Sequence, residues 1–453
     1  MTPVPPLSTY RLVHLGCAKN QVDSEVMVGL LRAAGLRAAA RPEDADLIVV
    51  NTCSFLHAAR RESVGAVVRE AAYKTAGRCR VLAVTGCLPQ MFGRDLAREL
   101  PEVDLFLGTG EFHQLADRVA DLASGRLPRG RRVLVARPRY LYDAGTPRVA
   151  APGSAYVKIA EGCSNHCAYC VIGRLRGPHR SRAPEDVAAE VARLARGARE
   201  ICLVAQDATR YGRDLVPRAD LAGLVRRVAA AARGAWVRLL YLHPARVSDE
   251  LLTVIAEIPS ICRYVDIPVQ HASDKVLKWM NRPTTRADLE QLVRRIRDRV
   301  PGAAIRTSLI VGHPGEGRRE FRELLAFVRE MEFEHLGVFA YSQEEGTRSA
   351  SLPGRVTIRT AESRREEVLE AQAVISQRKN EALVGRVLKV LVERESAGFP
   401  GHFEARTEFQ APEVDGFTLV QGTGLSPGEF ARVRIDEATC YDLAGTAAPD
   451  ESD

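Results

Sequence analysis

Short apolar runs recur along the first quarter of the chain, with longer helix-like stretches between them. Arg11–Leu15, Leu47–Val50 and Val81–Thr85 are rich in Leu, Ile and Val, and their spacing predicts a parallel, Rossmann-like α/β sheet over residues 8–122. The pattern then breaks. Gly125, Pro128, Gly130, Pro138, Gly145, Pro147, Pro152 and Gly153 punctuate a stretch that predicts a crossing segment between domains. Alternation resumes over residues 149–378, where Tyr156–Ala160, Ile201–Ala205, Val237–Tyr241, Tyr264–Pro268, Ile305–Val311 and Leu336–Tyr341 are strand candidates. Helical patterns fill the gaps; Phe321, Leu324, Leu325, Val328 and Met331 draw an apolar stripe along one helix face, which is core packing. Repeated β/α units of this kind predict a full or partial barrel with its chemistry where the strands end. Over residues 379–447 the runs Val387–Val392, His402–Thr407, Phe417–Val420 and Phe430–Ile435 are short, alternating and separated by Gly or Pro. They predict a small antiparallel β-barrel.

A length of 453 residues exceeds what one core organises and agrees with two or three domains. No run approaches the eighteen apolar residues of a membrane span, and Met1–Tyr10 holds three prolines but no basic cluster before an apolar core. The expected location is the cytoplasm, without a membrane partner. In a reducing compartment the ten cysteines are metal ligands or reactive thiols before they are disulfides. The net charge of +7 decides little alone.

Cys163, Cys167 and Cys170 form CxxxCxxC just after the run Tyr156–Ala160. Three thiolates this close can wrap one face of a 4Fe–4S cubane, which normally takes four cysteines, so one iron is left for a small chelating ligand. The alternative is structural zinc with His166 as fourth ligand, but a motif that opens a β/α barrel is unlike a small zinc module. Cys17, Cys53 and Cys87 show no local motif. Each lies just past the carboxyl end of a predicted strand, and those ends share one edge of a parallel sheet, which predicts a second three-cysteine site. The alternative is inert thiols at strand-to-helix turns. Cys79, Cys202, Cys262 and Cys440 lack this relation and are read as buried, unligated thiols.

These features resemble the radical S-adenosylmethionine (SAM) methylthiotransferase family. The resemblance covers essentially the whole chain and rests on Leu15-Gly16-Cys17-Ala18-Lys19-Asn20-Gln21-Val22-Asp23-Ser24-Glu25, Asn51-Thr52-Cys53, Thr85-Gly86-Cys87-Leu88 and the CxxxCxxC loop. It implies an amino-terminal methylthiotransferase domain, a central radical SAM partial β/α barrel and a terminal TRAM barrel. Ala205-Gln206-Asp207 with Tyr211-Gly212, Pro268-Val269-Gln270-His271 and Tyr341-Ser342-Gln343-Glu344-Glu345-Gly346-Thr347, together with Lys19-Asn20, are similar to the branch that modifies an aspartate of small-subunit ribosomal protein twelve. The other branch modifies isopentenyl-adenosine in tRNA next to the anticodon. From Arg378 to Asp453 the chain has 8 Lys and Arg against 14 Asp and Glu, while the remainder has 56 against 43. An acidic terminal domain suits a basic protein better than tRNA phosphates. The chain departs from the family at Ile172-Gly173, where proline is common, and at His313 and Gly317.

The resemblance implies two 4Fe–4S clusters. Cys163, Cys167 and Cys170 would hold the one that cleaves SAM to a 5′-deoxyadenosyl radical; Cys17, Cys53 and Cys87 would hold an auxiliary cluster carrying the sulfur. One SAM would methylate that sulfur, and the radical from another would take a hydrogen from the aspartate β-carbon, whose C–H bond offers general bases no acidic proton. Tyr169 is assigned to the adenine, and Gln206 and Asp207 to SAM, with loop or core structure as the alternative. A reductase and a sulfur donor are implied partners. A non-enzymatic iron–sulfur or zinc scaffold is the reading from another class.

Overall fold

Leu47–Thr52 and Val81–Gly86 are buried at every residue, as the middle strands of a parallel sheet covered on both faces must be. In the computed structural model, which describes residues 7–127 and 132–449, they lie at the centre of a six-stranded sheet. Pro128, Gly130 and the first six residues fall outside the described residues. The strand order is Arg37–Ala38, Thr9–His14, Leu47–Thr52, Val81–Gly86, Leu105–Leu107, Val133–Leu134, and every pair is parallel. The last strand belongs to the stretch read from sequence as a crossing segment; a two-residue strand is too short a run to show a period. Further along that stretch, Val149 N donates to Glu25 O at 3.1 Å and Arg148 Nε to Glu25 Oε2 at 2.7 Å. Pro147 O is so close to the helix Ala18–Ala33 that a Cβ on Gly29 would lie 2.3 Å from it. These residues pack as part of a first unit that comprises residues 1–150, 160–165 and 170–180.

The second unit comprises residues 151–159, 166–169 and 181–453. It contains two three-stranded sheets, Trp236–Leu239, Ala198–Val204, Gly153–Lys158 and Tyr264–Asp266, Ala304–Val311, His335–Ala340, with parallel pairing throughout. A parallel bridge between Val237 and Ile261 and the bond from Leu242 N to Asp266 O at 2.9 Å link their flanks. This is a partial barrel, as the alternating pattern predicts. The helix Arg318–Met331 buries Phe321, Leu324, Leu325, Val328 and Met331 as one stripe. The helix Ile358–Glu381 leads into a closed five-stranded barrel.

Two expectations are corrected here. The terminal barrel is not wholly antiparallel: Leu443–Ala447, a fifth strand the sequence pattern did not reveal, runs parallel to Thr418–Gln421, while the other four pairs are antiparallel. An odd number of strands cannot alternate in direction all the way round a closed ring, so one parallel pair is unavoidable. Cys79, Cys202 and Cys262 are buried, but Cys440 is only half-buried. It sits in the turn before Leu443–Ala447, held by Thr439 Oγ1 accepting from Asp442 N at 2.9 Å, and a barrel rim leaves such a turn in solvent.

Candidate metal centre and cofactor site

In the first unit the strand register brings His14 opposite Asn51, Asn51 opposite Thr85 and Thr52 opposite Gly86. Cys17, Cys53 and Cys87 therefore follow three adjacent strands at one edge. Cys17 caps the helix Ala18–Ala33 and Cys87 opens the helix Cys87–Glu99, where N–H groups and the helix dipole favour a thiolate. Gly86 has φ of 96°, and a Cβ there would lie 2.5 Å from Asn51 Oδ1 and 2.6 Å from Thr52 O, so this turn demands glycine. Asn51 fastens the strand ends: Nδ2 donates to Asn20 O at 2.9 Å and Ser24 Oγ at 2.8 Å, and Oδ1 accepts from Thr85 Oγ1 at 3.2 Å. Ser63 Oγ accepts from Cys53 N at 3.1 Å and donates to Cys53 O at 2.9 Å.

The three thiols lie within electrostatic reach of one another. Burial pushes the Cys87 thiol up to about 12; Arg176 pulls it down, and the charges of Cys53 and Cys17 push it further up. Burial also raises the Cys53 thiol, against the N–H of Phe55, with Cys17 adding to the rise and Arg176 opposing it. At Cys17, burial of the sulfur is outweighed by the charges of Lys19 and Arg176 and by the N–H groups of Asn20 and Lys19, so that thiol is lowered. Cys17 reaches solvent, Cys53 is half-buried and Cys87 is buried. Among the described residues no three His, Cys, Asp or Glu side chains are gathered tightly enough for a single metal ion. A cubane spreads its ligands more widely, and three thiols beside a buried cation fit the anionic three-cysteine cluster, with coordination removing the proton that burial would retain.

Sequence reasoning assigned no role to that cation. Arg176, only 3% exposed, ends the helix Ile172–Arg176. Its Nη2 donates to Cys87 Sγ at 3.7 Å and Asn20 Oδ1 at 3.0 Å; its Nη1 donates to Asp23 Oδ2 at 2.6 Å and Glu161 Oε2 at 3.4 Å. An arginine in Gly173-Arg174-Leu175-Arg176-Gly177 reads as surface in a linear sequence. Its residence beside Asn20 and Asp23, both in the quoted motif, carries no local signal.

Cys163, Cys167 and Cys170 are each half-buried on the loop after Ala160–Glu161. Gly162 opens the loop at φ of 81°, where a Cβ would lie 2.1 Å from Pro178 O. Backbone N–H groups point at two sulfurs, Asn165 N at 3.4 Å from Cys163 Sγ and Ile172 N at 3.5 Å from Cys170 Sγ. In the second unit Cys167 Sγ accepts from Arg282 Nη1 at 3.9 Å. Arg282, also missed, contacts His243 Nε2 at 2.9 Å and donates to Pro268 O at 2.8 Å. Burial first and the charges of Arg282 and Arg246 next hold His243 down to about 3, a neutral acceptor. Ala168 is pinned on both sides, its N donating to Met280 O at 2.8 Å and its O accepting from Ser349 N at 2.9 Å. His166 is exposed, and its carbonyl accepts from Asn281 Nδ2 at 2.7 Å.

Tyr169 is half-buried between the last two cysteines. Gln206 and Asp207 follow the strand Ala198–Val204, but Asp207 is buried and committed: Oδ1 accepts from Thr209 N at 3.1 Å and Oγ1 at 2.5 Å, and Oδ2 pairs with Arg246. Its geometry is that of a turn anchor. Tyr241 and Gln270, past the carboxyl ends of neighbouring strands, take φ of 64° and 73°. Left-handed backbone at non-glycine residues is costly and gathers at functional edges.

Comparison with known proteins places this architecture. Residues 9–108 match a family described only as the uncharacterized protein family UPF0004, residues 157–328 match the radical SAM superfamily and residues 384–448 match the TRAM domain. The chain is 48% identical over 441 residues to the ribosomal protein uS12 methylthiotransferase RimO of Syntrophus aciditrophicus, covering 96% of this chain and 97% of that protein. It belongs to the RimO family. The RimO of Pelotomaculum thermopropionicum is 45% identical over 438 residues, covering 96% of this chain and 98% of that protein. Solved structures support the fold alone. The radical SAM methyltransferase TsrM of Kitasatospora setae, with cobalamin and a [4Fe-4S] cluster bound, superposes with a TM-score of 0.57 at 15% identity, over 93% of this chain and 84% of that one. The cobalamin-dependent radical SAM enzyme OxsB, with aqua-cobalamin and SAM bound, gives 0.53 at 12% identity, over 80% and 56%. Among the described residues of this RimO-family chain, no helix is long and apolar enough to cross a membrane.

Proposed function

We propose that this chain is a radical SAM methylthiotransferase that places a methylthio group on the β-carbon of an aspartate in ribosomal protein uS12. The carrying observation is the two three-cysteine sets, one at a parallel-sheet edge and one on CxxxCxxC, in a chain nearly half identical to uS12 methylthiotransferases along its length. Cys163, Cys167 and Cys170 bind the cluster that meets SAM, and Cys17, Cys53 and Cys87 bind the auxiliary cluster. When bound, these groups supply reductive cleavage of SAM and a sulfur for transfer. The protein contributes thiolates, N–H groups aimed at the sulfurs of Cys163 and Cys170, and the guanidinium of Arg282 at Cys167. Tyr169 packs against the adenine and Gln206 contacts SAM, while Asp207 holds the turn that presents Gln206. The acidic terminal barrel receives a basic protein, free or within the small subunit, and a reductase and a sulfur donor complete the cycle.

The test is mass spectrometry of uS12 and of tRNA after incubation with anaerobically reconstituted protein, SAM and a reductant. A methylthio group on a uS12 aspartate is the expected result. Modified adenosine with unchanged uS12 would replace this reading by the tRNA one, and absence of 5′-deoxyadenosine would leave only a scaffold.

A further inference from the structure

Arg176 reaches both a thiol of the auxiliary set and residues close in sequence to other cysteines of the first unit: Asn20 and Asp23 after Cys17, and Glu161 before Cys163. We propose that Arg176 is a positioning residue that sets the reduction potential of the auxiliary cluster, through an N–H···S bond to Cys87 and its buried positive charge. This rests on Cys17, Cys53 and Cys87 being that cluster's ligands.

The physical case has three parts. A cubane with three thiolates is anionic, and reduction adds another negative charge in a place where Cys87 is buried. Nearby positive charge and hydrogen bonds to cluster sulfurs favour the reduced form, and both are named determinants of cluster potential. Arg176 supplies both, because a guanidinium is a rigid fork that stays charged and can serve a sulfur and a carboxylate from different nitrogens. Asp23 acts in the opposite sense. It fixes the fork at 2.6 Å and partly cancels its charge. The Leu175 carbonyl, accepting from Thr109 Oγ1 at 2.5 Å, and the apolar contact of Val171 and Leu175 with Cys87 keep the helix in place, so the fork cannot swing to water.

Two near-isosteric changes on the same ion pair therefore move the potential in opposite directions. Arg176→Lys keeps a cation but cannot reach both Asp23 and Cys87, so the auxiliary cluster becomes harder to reduce. Asp23→Asn leaves the fork in place with its charge less cancelled, so the cluster becomes easier to reduce. The measurement is an anaerobic redox titration followed by electron paramagnetic resonance, in full-length protein carrying Cys163→Ala, Cys167→Ala and Cys170→Ala so that one cluster remains. The expected shift is at least about threefold in the reduction equilibrium each way, about half of the 59 mV that a tenfold change represents for one electron. Equal potentials in parent and variants, or shifts of the same sign, overturn the proposal. If Arg176→Lys fails to load iron, Asp23→Asn decides alone: an unchanged or lowered potential overturns it. A parent that binds no iron overturns the ligand assignment itself, and with it this inference, and is recognised before any potential is read.

Discussion

Arg406 places Nη2 2.6 Å from Glu200 Oε2, joining the terminal barrel to the amino end of the strand Ala198–Val204 inside the second unit. Glu200 Oε1 accepts from Arg238 Nε at 2.7 Å, and Ser154 Oγ bonds both Glu200 and Arg406. All three charged side chains are at most 2% exposed. The terminal barrel is thus fastened to the base of the partial barrel, at the end of the strands opposite to the one where Gln206, Tyr241 and Gln270 lie. Arg406→Met leaves Glu200 paired with Arg238 but takes the charged donor from its Oε2, which keeps only Ser154, so the change is expected to cost about 1–3 kcal/mol. Urea unfolding of wild type and variant measures this, and a loss below about 1 kcal/mol would refute the network's role.

The same carboxylate gives a pH dependence with a fixed sign. Burial alone would raise Glu200, but the charges of Arg406 and Arg238 hold it down to about 2 from an ordinary 4.5. A depressed carboxylate stabilises the fold above its unfolded pKa and loses that contribution as pH falls toward the folded value. The stability gap between wild type and Glu200→Gln is therefore expected to be constant above about pH 5 and to narrow between about 4.5 and 2. Melting temperatures across that range check it; a gap that widens on acidification contradicts it.

Iron content separates the two cysteine sets. Wild type is expected to hold about eight irons after reconstitution, and Cys17→Ala, Cys53→Ala, Cys87→Ala about four. A wild type with about four and a variant that loses none would remove the auxiliary cluster from the account.

Asn51 and Gly86 brace the sheet edge that carries Cys17, Cys53 and Cys87. Asn51→Leu removes one hydrogen bond each from Asn20 O, Ser24 Oγ and Thr85 Oγ1, a loss of about 1–3 kcal/mol, and Gly86→Ala drives a methyl against Asn51 and Thr52. Both variants are expected to lose the auxiliary irons while 5′-deoxyadenosine formation survives. Full iron content in Gly86→Ala would show that the turn relaxes.

Much of this was written in the linear pattern. Near-continuous apolar runs ended by glycine or cysteine located the central strands to within one or two residues, because a strand buried on both faces admits few polar side chains. Since parallel strands align their carboxyl ends, the positions of Cys17, Cys53 and Cys87 after three such runs already placed all three at one edge of the sheet. The alternating short runs of the terminal domain marked a barrel for the same reason, one face of each strand being buried.

Tertiary structure alone decided where the charges went. Arg176, Glu200, Arg238 and Arg406 look like solvated residues in sequence, because an isolated charge avoids burial and only a partner supplied from far along the chain permits it. Asp23 lies 153 residues from Arg176, and Glu200 lies 206 from Arg406. Arg37–Ala38, Val133–Leu134 and the parallel closure by Leu443–Ala447 were equally silent, since a two-residue strand has no period and a barrel's closure is a property of the ring. The sequence by itself determined the sheets and the cysteine sets, which depend on local runs of apolar residues. The buried cations beside those cysteines, and those that fasten the terminal barrel to the partial barrel within the second unit, were decided by the fold, because their free energy depends on partners that only folding brings within reach.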